Sequence, residues 1–212
     1  MITDMHLHGN CLYTCSLDTT IKVTDLMKGH VKIVIEPPHS HPQGVFKLAI
    51  SEASLQLFTA GLEPVVLVHS LTNSRMKPQR LEDKHRPHHG RIIGIVALAE
   101  SPQVITADSS GLVKVWDTRT LTCTQTIASI KDPFSGGGGS SSLSKGGVGA
   151  SHGSSGADVV ASIMASQLMT SFAYIPPPAR RIITNGRDTK VYTYDAAAKP
   201  HQSDDVAVSL VT

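Results

Sequence analysis

Histidines are the residues whose type and spacing first suggest chemistry in this sequence. They cluster at His85, His88 and His89, and they form pairs at His39 with His41 and at His6 with His8. Imidazole is a common zinc ligand, but zinc sites generally draw on paired cysteines or on a His-x3-His helix with a carboxylate, and the sequence has no such unit. We therefore expect no metal and no other cofactor. A metal- or ligand-binding site at the histidine-rich loops remains the alternative.

Three acidic residues are the next candidates for catalysis. Asp18, Asp108 and Asp188 could be taken for a catalytic set. They recur, however, at near-equivalent turn positions, one in each of three similar segments, whereas an active site needs different residues that converge on one place. We interpret them as structural residues, and we expect no enzymatic activity.

Glycine-rich sequence is a third candidate for a binding motif. The tract Gly136–Gly139 lacks the Gly-Lys-Ser/Thr ending of a phosphate-binding loop. One Trp, four Tyr and four Phe are too few for a basic-aromatic surface that stacks single-stranded nucleic acid, and a net charge of +2 gives no basic patch. Nucleic acid is therefore an unlikely class of ligand.

An internal repeat is the feature that would position these side chains. Four segments align from a Thr through a polar turn into an alternating strand that closes on Asp or Ser: 14–25, 59–70, 106–117 and 184–195. Their closing residues are spaced by 45, 47 and 78 positions, so the first two spacings match a four-stranded blade repeat of about 40 to 45 residues, and the third matches that period plus an insertion.

Each repeat predicts four short strands joined by turns. The strands alternate in hydrophobicity, and Gly, Pro, Asn or Ser stand at the joints. We expect fourth strands at 31–35, 76–81, 122–127 and 206–211, with the second the weakest because Pro78 cannot donate to a ladder. The expected fold is all-β, in repeats at approximately 1–35, 41–84, 89–128 and 165–212.

The run Gly111-Leu112-Val113-Lys114-Val115-Trp116-Asp117 resembles the end of the third strand in WD-repeat (WD40) proteins. The resemblance covers nearly the whole chain apart from the insertion, and it implies a β-propeller of four four-stranded blades in an incomplete or open ring. In that family a His before the first strand, a Ser or Thr in the second, an Asp in the following turn and the Trp of the third strand form a structural hydrogen-bonded tetrad.

No repeat fills all four tetrad positions when they are counted back from the Trp. The first offers Ser16 and Asp18, with Thr24 in place of Trp. The second offers His41 and Glu63, with His69 in place of Trp. The third offers His89 and Trp116, with Asp108 and Ser110 exchanged between the Ser and Asp positions. The fourth offers Asp188 and Tyr194 without a His, and the repeats close on Asp25, Asp117 and Asp195.

The histidines of the tetrad are expected four residues before a first-strand apolar residue. His41 precedes Val45 in this way and His89 precedes Ile93, whereas Gly29-His30 falls in the turn between the third and fourth strands. By the same rule the His of the first repeat would precede residue 1. We expect the chain to begin inside a propeller, as a fragment, an incomplete gene model or a half-ring that needs a partner.

The insertion at 129–164 has a composition unlike the rest of the chain. Its core, 135–157, is so rich in Gly and Ser that ordering it would cost too much entropy, and we expect a disordered segment. The stretch 158–168 has helical spacing of apolar residues behind Asp158, so part of it is expected to form a helix that docks on a partner or on the propeller itself.

Composition limits where and how such a protein acts. The three cysteines, Cys11, Cys15 and Cys123, are an odd number, and the sequence has neither a signal peptide nor an apolar run long enough to cross a membrane. We expect a cytoplasmic scaffold for other proteins or peptides, with the missing blades of a larger propeller as a further partner. Cytoskeletal, ciliary or nuclear association stays open. A truncated segment with no independent function is the remaining alternative.

Overall fold

The chain forms four antiparallel β-sheets in sequence order. A computed structural model describes residues 1–73, 76–128, 169–186 and 191–195. The first sheet contains β1 (Ile2–His8), β2 (Cys11–Ser16), β3 (Ile21–Asp25) and β4 (His30–Ile35). The second contains β5 (Val45–Ser51), β6 (Gln56–Gly61), β7 (Val66–Ser70) and β8 (Gln79–Leu81). The third contains β9 (Ile92–Ala97), β10 (Gln103–Asp108), β11 (Leu112–Asp117) and β12 (Thr122–Ala128). The described part of the fourth contains β13 (Met169–Ile175), β14 (Arg181–Gly186) and β15 (Val191–Asp195).

Every sheet is a simple up-and-down meander. Each strand pairs with the next one along the chain, and the strand order within each sheet follows the sequence. Each first strand also carries a register irregularity near its start, at Ile2, Val45, Ile92 and Met169. The prediction of an all-β chain built from short alternating strands is therefore confirmed for the described residues.

Pro78 limits the fourth strand of the second sheet. β8 contains only three residues and begins directly after this proline, whereas the sequence predicted a strand from Met76. Proline has no N–H to give to β7, so the ladder starts at Gln79, opposite Val68.

The hydrophobic core lies between the sheets. One buried cluster joins the first and second sheets, with Tyr13 and Ile21 on one side and Leu48 and Leu57 on the other. A second joins the second and third sheets around Phe58 and Trp116. A third joins the third and fourth sheets around Ile105 and Ile182. Each sheet therefore packs on its neighbours in the sequence, and β5, β9 and β13 each contact the first strand of the sheet before them.

A glycine allows the third and fourth sheets to approach closely. A Cβ atom at Gly94 in β9 would lie 2.5 Å from Cδ1 of Phe172 in β13. This distance is too short for two carbon atoms, so the packing of the Phe172 ring depends on the missing side chain.

Several expectations fall outside the described residues. They are the insertion at 129–164, the helix at 158–168, the fourth strand at 206–211 and the turn that contains Asp188.

Candidate functional site

A buried network of four side chains links three elements around the third sheet. His88 Nδ1 lies 2.9 Å from Asp108 Oδ2, and His88 Nε2 lies 2.8 Å from Thr106 Oγ1. Trp116 Nε1 donates to the same Thr106 oxygen at 2.8 Å. We call these four residues the third-sheet network; all of them are buried.

The indole and the carboxylate at the two ends of the network fix the direction of these hydrogen bonds. Trp116 can only donate, so the Thr106 hydroxyl accepts from it. The Asp108 carboxylate can only accept, so His88 donates to it from Nδ1 and accepts the Thr106 hydrogen at Nε2. Every polar hydrogen in the chain from Trp116 to Asp108 thus has an acceptor.

The second sheet repeats this arrangement with different residues. His41 Nδ1 lies 3.2 Å from Glu63 Oε2, and His41 Nε2 lies 3.3 Å from Thr59 Oγ1. His69 Nε2 takes the place of the indole, 3.1 Å from the Thr59 oxygen. We call these four residues the second-sheet network. In both networks the first His stands 18 residues before the Thr. The second ring, His69 or Trp116, stands ten residues after the Thr.

Sheet register brings the two central residues of each network together. Thr106 lies in the middle of β10 and pairs with Lys114 of β11, two positions from Trp116 on the same side of that strand. Thr59 and His69 have the same diagonal relation on β6 and β7. The His of each network lies in the connection that leads into the first strand of its own sheet. His41 stands four residues before Val45 of β5, and His88 stands four residues before Ile92 of β9.

The acidic residue differs between the networks in both type and position. Asp108 follows Thr106 by two residues, whereas Glu63 follows Thr59 by four. A glutamate is one methylene longer than an aspartate, so it reaches the imidazole from further along the turn. Asp108 also accepts from the backbone N–H groups of Ser110 and Leu112 and from His89 N. Burial raises the pKa of Asp108, but its hydrogen bonds from His88 and Ser110 outweigh that effect, and the pKa lies below the ordinary value.

The two imidazoles of the second-sheet network are held in the neutral form. Burial lowers the pKa of His69 to about 4, with smaller contributions from His41 and His39, and burial also lowers the pKa of His41. The Glu63 carboxylate can only accept, so the neutral His41 donates to it from Nδ1 and accepts the Thr59 hydrogen at Nε2. Thr59 then accepts from His69 Nε2–H, and the second-sheet network has the same direction as the third.

The structure assigns the histidine of the third repeat to His88 and not to His89, which was expected from the sequence. The His89 side chain is exposed, and only its backbone N–H contacts Asp108. Asp108 and Ser110 do not exchange roles either, because Asp108 accepts from the imidazole and Thr106 provides the hydroxyl. Thr59 and Thr106 were missed, although a Thr at the same strand position in all four repeats was visible as Thr14, Thr59, Thr106 and Thr184.

In the first repeat, Ser16 and Asp18 stabilise a turn. Ser16 Oγ donates to Met1 O and accepts from Asp18 N, and Asp18 Oδ1 accepts from both the N–H and the hydroxyl of Thr20. These bonds from Thr20 hold the pKa of Asp18 below its ordinary value. Neither residue contacts an imidazole, so the described part of the first sheet contains no counterpart of the two networks.

The closing aspartates of the first and third repeats cap the turn that follows the third strand. Asp25 Oδ1 accepts from the backbone of Met27 and Lys28, and Asp117 Oδ1 accepts from Arg119 N. The Arg119 guanidinium also binds Asp117 and lowers its pKa to about 2.

The fourth repeat is described in part. Thr184 is buried at the strand position of Thr59 and Thr106. Tyr194 and Asp195 lie at the end of β15, where Tyr194 pairs with Ile182 and Asp195 with Arg181. Asp188 lies outside the described residues.

A buried lysine, also missed at the level of the sequence, ties the second and third sheets together. Lys114 in β11 is fully buried, and its Nζ donates to Asp83 Oδ2 at 2.6 Å and to Thr126 Oγ1 at 3.1 Å. The ammonium also lies 5.7 Å from the centre of the Trp116 ring. Asp83 belongs to the connection between β8 and β9, and its hydrogen bond from Lys114 lowers its pKa against the raising effect of burial. The alternating pattern of β11 predicts a core position here, but it does not predict a charged residue.

An acid, an imidazole and a hydroxyl in line can activate a nucleophile in an enzyme. Here the hydroxyls of Thr59 and Thr106 belong to fully buried residues, and each receives a further N–H from a second ring. In this fold each network binds the connection that precedes the first strand of its sheet to the turn that follows the second strand of the same sheet. Within the described ranges, no group of three His, Cys, Asp or Glu side chains is placed to hold a metal ion.

One edge of the sheets collects these connections, and we call it the loop edge. It carries the β2–β3, β6–β7 and β10–β11 turns together with the β4–β5 and β8–β9 connections. Met169 N donates to Ser109 O in the β10–β11 turn, so β13 also begins at this edge. Leu17, Leu62 and His89 are exposed there.

Comparison with known proteins adds no relative to this picture. A scan of the sequence against protein-family models finds no match, and a search among curated proteins also finds none.

Proposed function

We propose that this chain is a WD-type β-propeller segment that serves as a non-enzymatic scaffold for other proteins or peptides. The observation that carries the proposal is the third-sheet network. Its His precedes the first strand, its Thr lies in the second strand and its Trp lies in the third strand, which are the positions that the WD-repeat resemblance implies for the structural tetrad. Its Asp ends the second strand, directly before the turn in which the resemblance places it.

The second-sheet network supports the same proposal. It keeps the His and Thr at identical spacing and substitutes only the acid and the ring. A catalytic constellation occurs once in a molecule, whereas a structural device recurs with each repeat. The recurrence therefore favours a role in rigidity.

Rigidity at the loop edge is what a scaffold needs. The networks bind the connections to the turns, and Leu62 and His89 project into solvent from backbone that these networks hold. A preorganised backbone lowers the entropy cost of binding, and exposed apolar side chains within a polar rim are typical of interaction surfaces. We propose that a partner docks on this edge.

The free thiols support a proposal about the environment of the protein. Cys11, Cys15 and Cys123 are all free, as expected in the reducing cytoplasm that we propose. In the described part of the chain, no helix is long and apolar enough to cross a membrane.

Quantitative capture tests the proposal. The full chain is immobilised, captured proteins are identified by mass spectrometry, and the strongest partner is purified and titrated by calorimetry. A variant with Leu62→Ser and His89→Ser removes two exposed side chains of the loop edge. The control is Met27→Ser, because Met27 is exposed in the β3–β4 turn at the opposite edge.

We expect the loop-edge variant to weaken binding about tenfold or more, the effect of losing an interface residue worth over 1 kcal/mol. The control should bind as the parent chain does. Capture of no protein above bare resin, or equal loss in the two variants, would contradict the proposal. Circular dichroism verifies that each variant is folded.

A further inference from the structure

In each sheet, four residues at equivalent positions of the first and second strands form the face on which the preceding sheet packs. In the second sheet these positions are Val45, Leu48, Ile50 and Leu57, and all four belong to the buried cluster with the first sheet. Ile92, Ile95, Ala97 and Val104 have the same pairing in the third sheet and pack on the second. Met169, Phe172, Tyr174 and Ile182 repeat it in the fourth and pack on the third. We call this the receiving face.

The first sheet has a receiving face of the same kind, and it is open. Strand pairing places Ile2, Met5, Leu7 and Leu12 at the four positions. Ile2, Met5 and Leu7 are 58%, 62% and 59% exposed, whereas their counterparts Val45, Leu48 and Ile50 are at most 5% exposed. Three large apolar side chains in a row on a sheet surface are unusual for a monomer and typical of an interface.

The opposite side of each sheet presents four other positions to the next sheet. They are Tyr13, Cys15, Ile21 and Val23 in the first sheet, Phe58, Ala60, Val66 and Val68 in the second, and Ile105, Ala107, Val113 and Val115 in the third. All twelve are buried apolar residues. We call this the presenting face.

At the presenting positions the fourth sheet has both apolar and polar residues. The register places Ile183 and Asn185 there on β14, opposite Thr193 and Val191 on β15. Asn185 is exposed. Its Oδ1 accepts from Thr170 Oγ1, but its amide N–H groups would lose their hydrogen bonds to water against a wholly apolar face, which is costly. A receiving face that offers polar groups beside apolar ones avoids this cost.

The receiving side of the first sheet meets that requirement. Thr14 and Thr24 lie beside its apolar row, both half-buried, and Thr24 stands where His69 and Trp116 stand in the next two sheets. Within the described residues, the Thr14 and Thr24 hydroxyls make none of the network bonds found for Thr59 and Thr106. The open face thus combines four apolar side chains with two hydroxyl groups.

We propose that a second copy of this chain covers the open face, with its fourth sheet packed on the first sheet of its partner. The inference rests on the proposed propeller fold, because it continues the packing between successive sheets across the interface. Two copies related by a twofold axis form two identical contacts of this kind and close a ring. The ring then contains eight sheets, within the range of about four to eight blades known for propellers.

Sedimentation velocity of the full chain over a wide concentration range tests the proposal. We expect a dimer. Met5→Glu combined with Leu7→Glu places two carboxylates on the open face and should weaken association roughly thirtyfold or more, the loss that a central interface residue causes. Both side chains are exposed within one chain, so the variant should fold as the parent does. Met27→Glu, at an exposed apolar residue away from this face, is the matched control and should remain a dimer.

Cysteine cross-linking establishes which faces meet. In chains with Cys11→Ser and Cys123→Ser, one population carries Met5→Cys and the other Ile183→Cys. Oxidation of the mixture should give a disulfide between the two populations. A disulfide formed within the Met5→Cys population alone would indicate that two open faces pack on each other, and it would overturn the head-to-tail arrangement.

Other outcomes also overturn the dimer. They are a monomer at all concentrations, an unchanged dimer in the Met5→Glu, Leu7→Glu variant, and a monomer whose open face binds a different purified protein. A monomer that still binds a loop-edge partner would reject the dimer and keep the scaffold. A dimer that captures no other protein would reject the scaffold and keep the dimer.

Discussion

The indole N–H of Trp116 binds the hydroxyl of Thr106 at 2.8 Å, across a diagonal of two neighbouring strands. Because the indole can only donate and the Asp108 carboxylate can only accept, the two ends of the network set the proton positions of Thr106 and His88. In the second sheet His69 takes the place of the indole, and the Glu63 carboxylate takes the place of Asp108. Two repeats with different side chains thus keep one geometry and one hydrogen-bond direction.

Replacement of His88 should destabilise the protein far more than replacement of its neighbour. His88→Ala leaves the buried Asp108 carboxylate and the Thr106 hydroxyl without their imidazole partner, and we expect the free energy of unfolding to fall by about 3 kcal/mol. His89→Ala removes an exposed ring and should change it by less than about 0.5 kcal/mol. Urea denaturation followed by the fluorescence of the single Trp measures both. Equal losses would contradict the assignment of His88.

The hydroxyl at the centre of the third-sheet network can be removed without a change of shape. Thr106→Val breaks the bonds to both His88 and Trp116, and we expect a loss of about 2 kcal/mol or more in the free energy of unfolding. Thr14→Val at the same strand position of the first sheet is the control, with an expected change below about 0.5 kcal/mol. A similar loss in both variants would mean that β-strand packing, and not the network, explains the effect.

Acid should destabilise the chain through His69. Its pKa is about 4 in the folded protein against an ordinary value of 6.5, so the unfolded state binds the proton more readily. The stabilising contribution is complete above pH 6.5 and decreases as the pH falls towards 4, by an amount on the order of 3 kcal/mol. His69→Phe should be less stable at neutral pH but should lose part of this pH dependence. Denaturant midpoints measured at successive pH values give the slope for each protein, and identical slopes would reject the assignment.

The buried pair of Lys114 and Asp83 should show an unequal cost of mutation. Asp83→Ala leaves a fully buried ammonium without its carboxylate, at a cost of about 3 kcal/mol. Lys114→Met should cost less, because the Asp83 side chain is 14% exposed and can be hydrated. The double variant should be more stable than Asp83→Ala alone. A double-mutant cycle by urea denaturation measures the coupling, and additive losses would contradict a direct interaction.

Gly94→Ala should disturb the contact between the third and fourth sheets. The added methyl group overlaps the Phe172 ring, and overpacking of this kind costs about 1 to 3 kcal/mol. Phe172→Leu removes the edge of the ring and should restore part of the loss in the double variant, although it destabilises the parent. Thermal melting compares the four proteins, and a Gly94→Ala loss that persists fully in the Phe172→Leu background would indicate another cause.

The repeat period and the strand positions were predictable from the sequence because alternation and turn residues are local signals. The fold is accordingly close to the expectation for β4 and β12, whereas β8 begins at Gln79 and not at Met76. The two hydrogen-bonded networks depend on the register between strands, and this register is set by residues that are far apart in the sequence. The choice of His89 followed from counting back from Ile93, but β9 begins at Ile92. Two successive isoleucines give no signal of which one starts the strand, and one position decides between a buried and an exposed imidazole.

The acidic partner and the buried lysine were difficult to predict for a related reason. Glu63 and Asp108 reach equivalent imidazoles from different positions, so a fixed spacing recovers Glu63 and assigns Asp108 to another role. Lys114 is buried because Asp83, 31 residues earlier in the chain, approaches it. Such a pairing is visible only after the connection between two sheets has folded.

The placement of the core between the sheets also governs how the chain opens. The hydrophobic clusters of the described residues all lie between sheets, so the stability of each sheet is largely a nearest-neighbour term, as in a stack of coupled units. The two middle sheets are covered on both faces, and their backbone amides should exchange with deuterium more slowly than those of the first sheet. Covering the open face of the first sheet would convert it from a fraying end into an interior unit, and the protection of β1 would then increase with protein concentration.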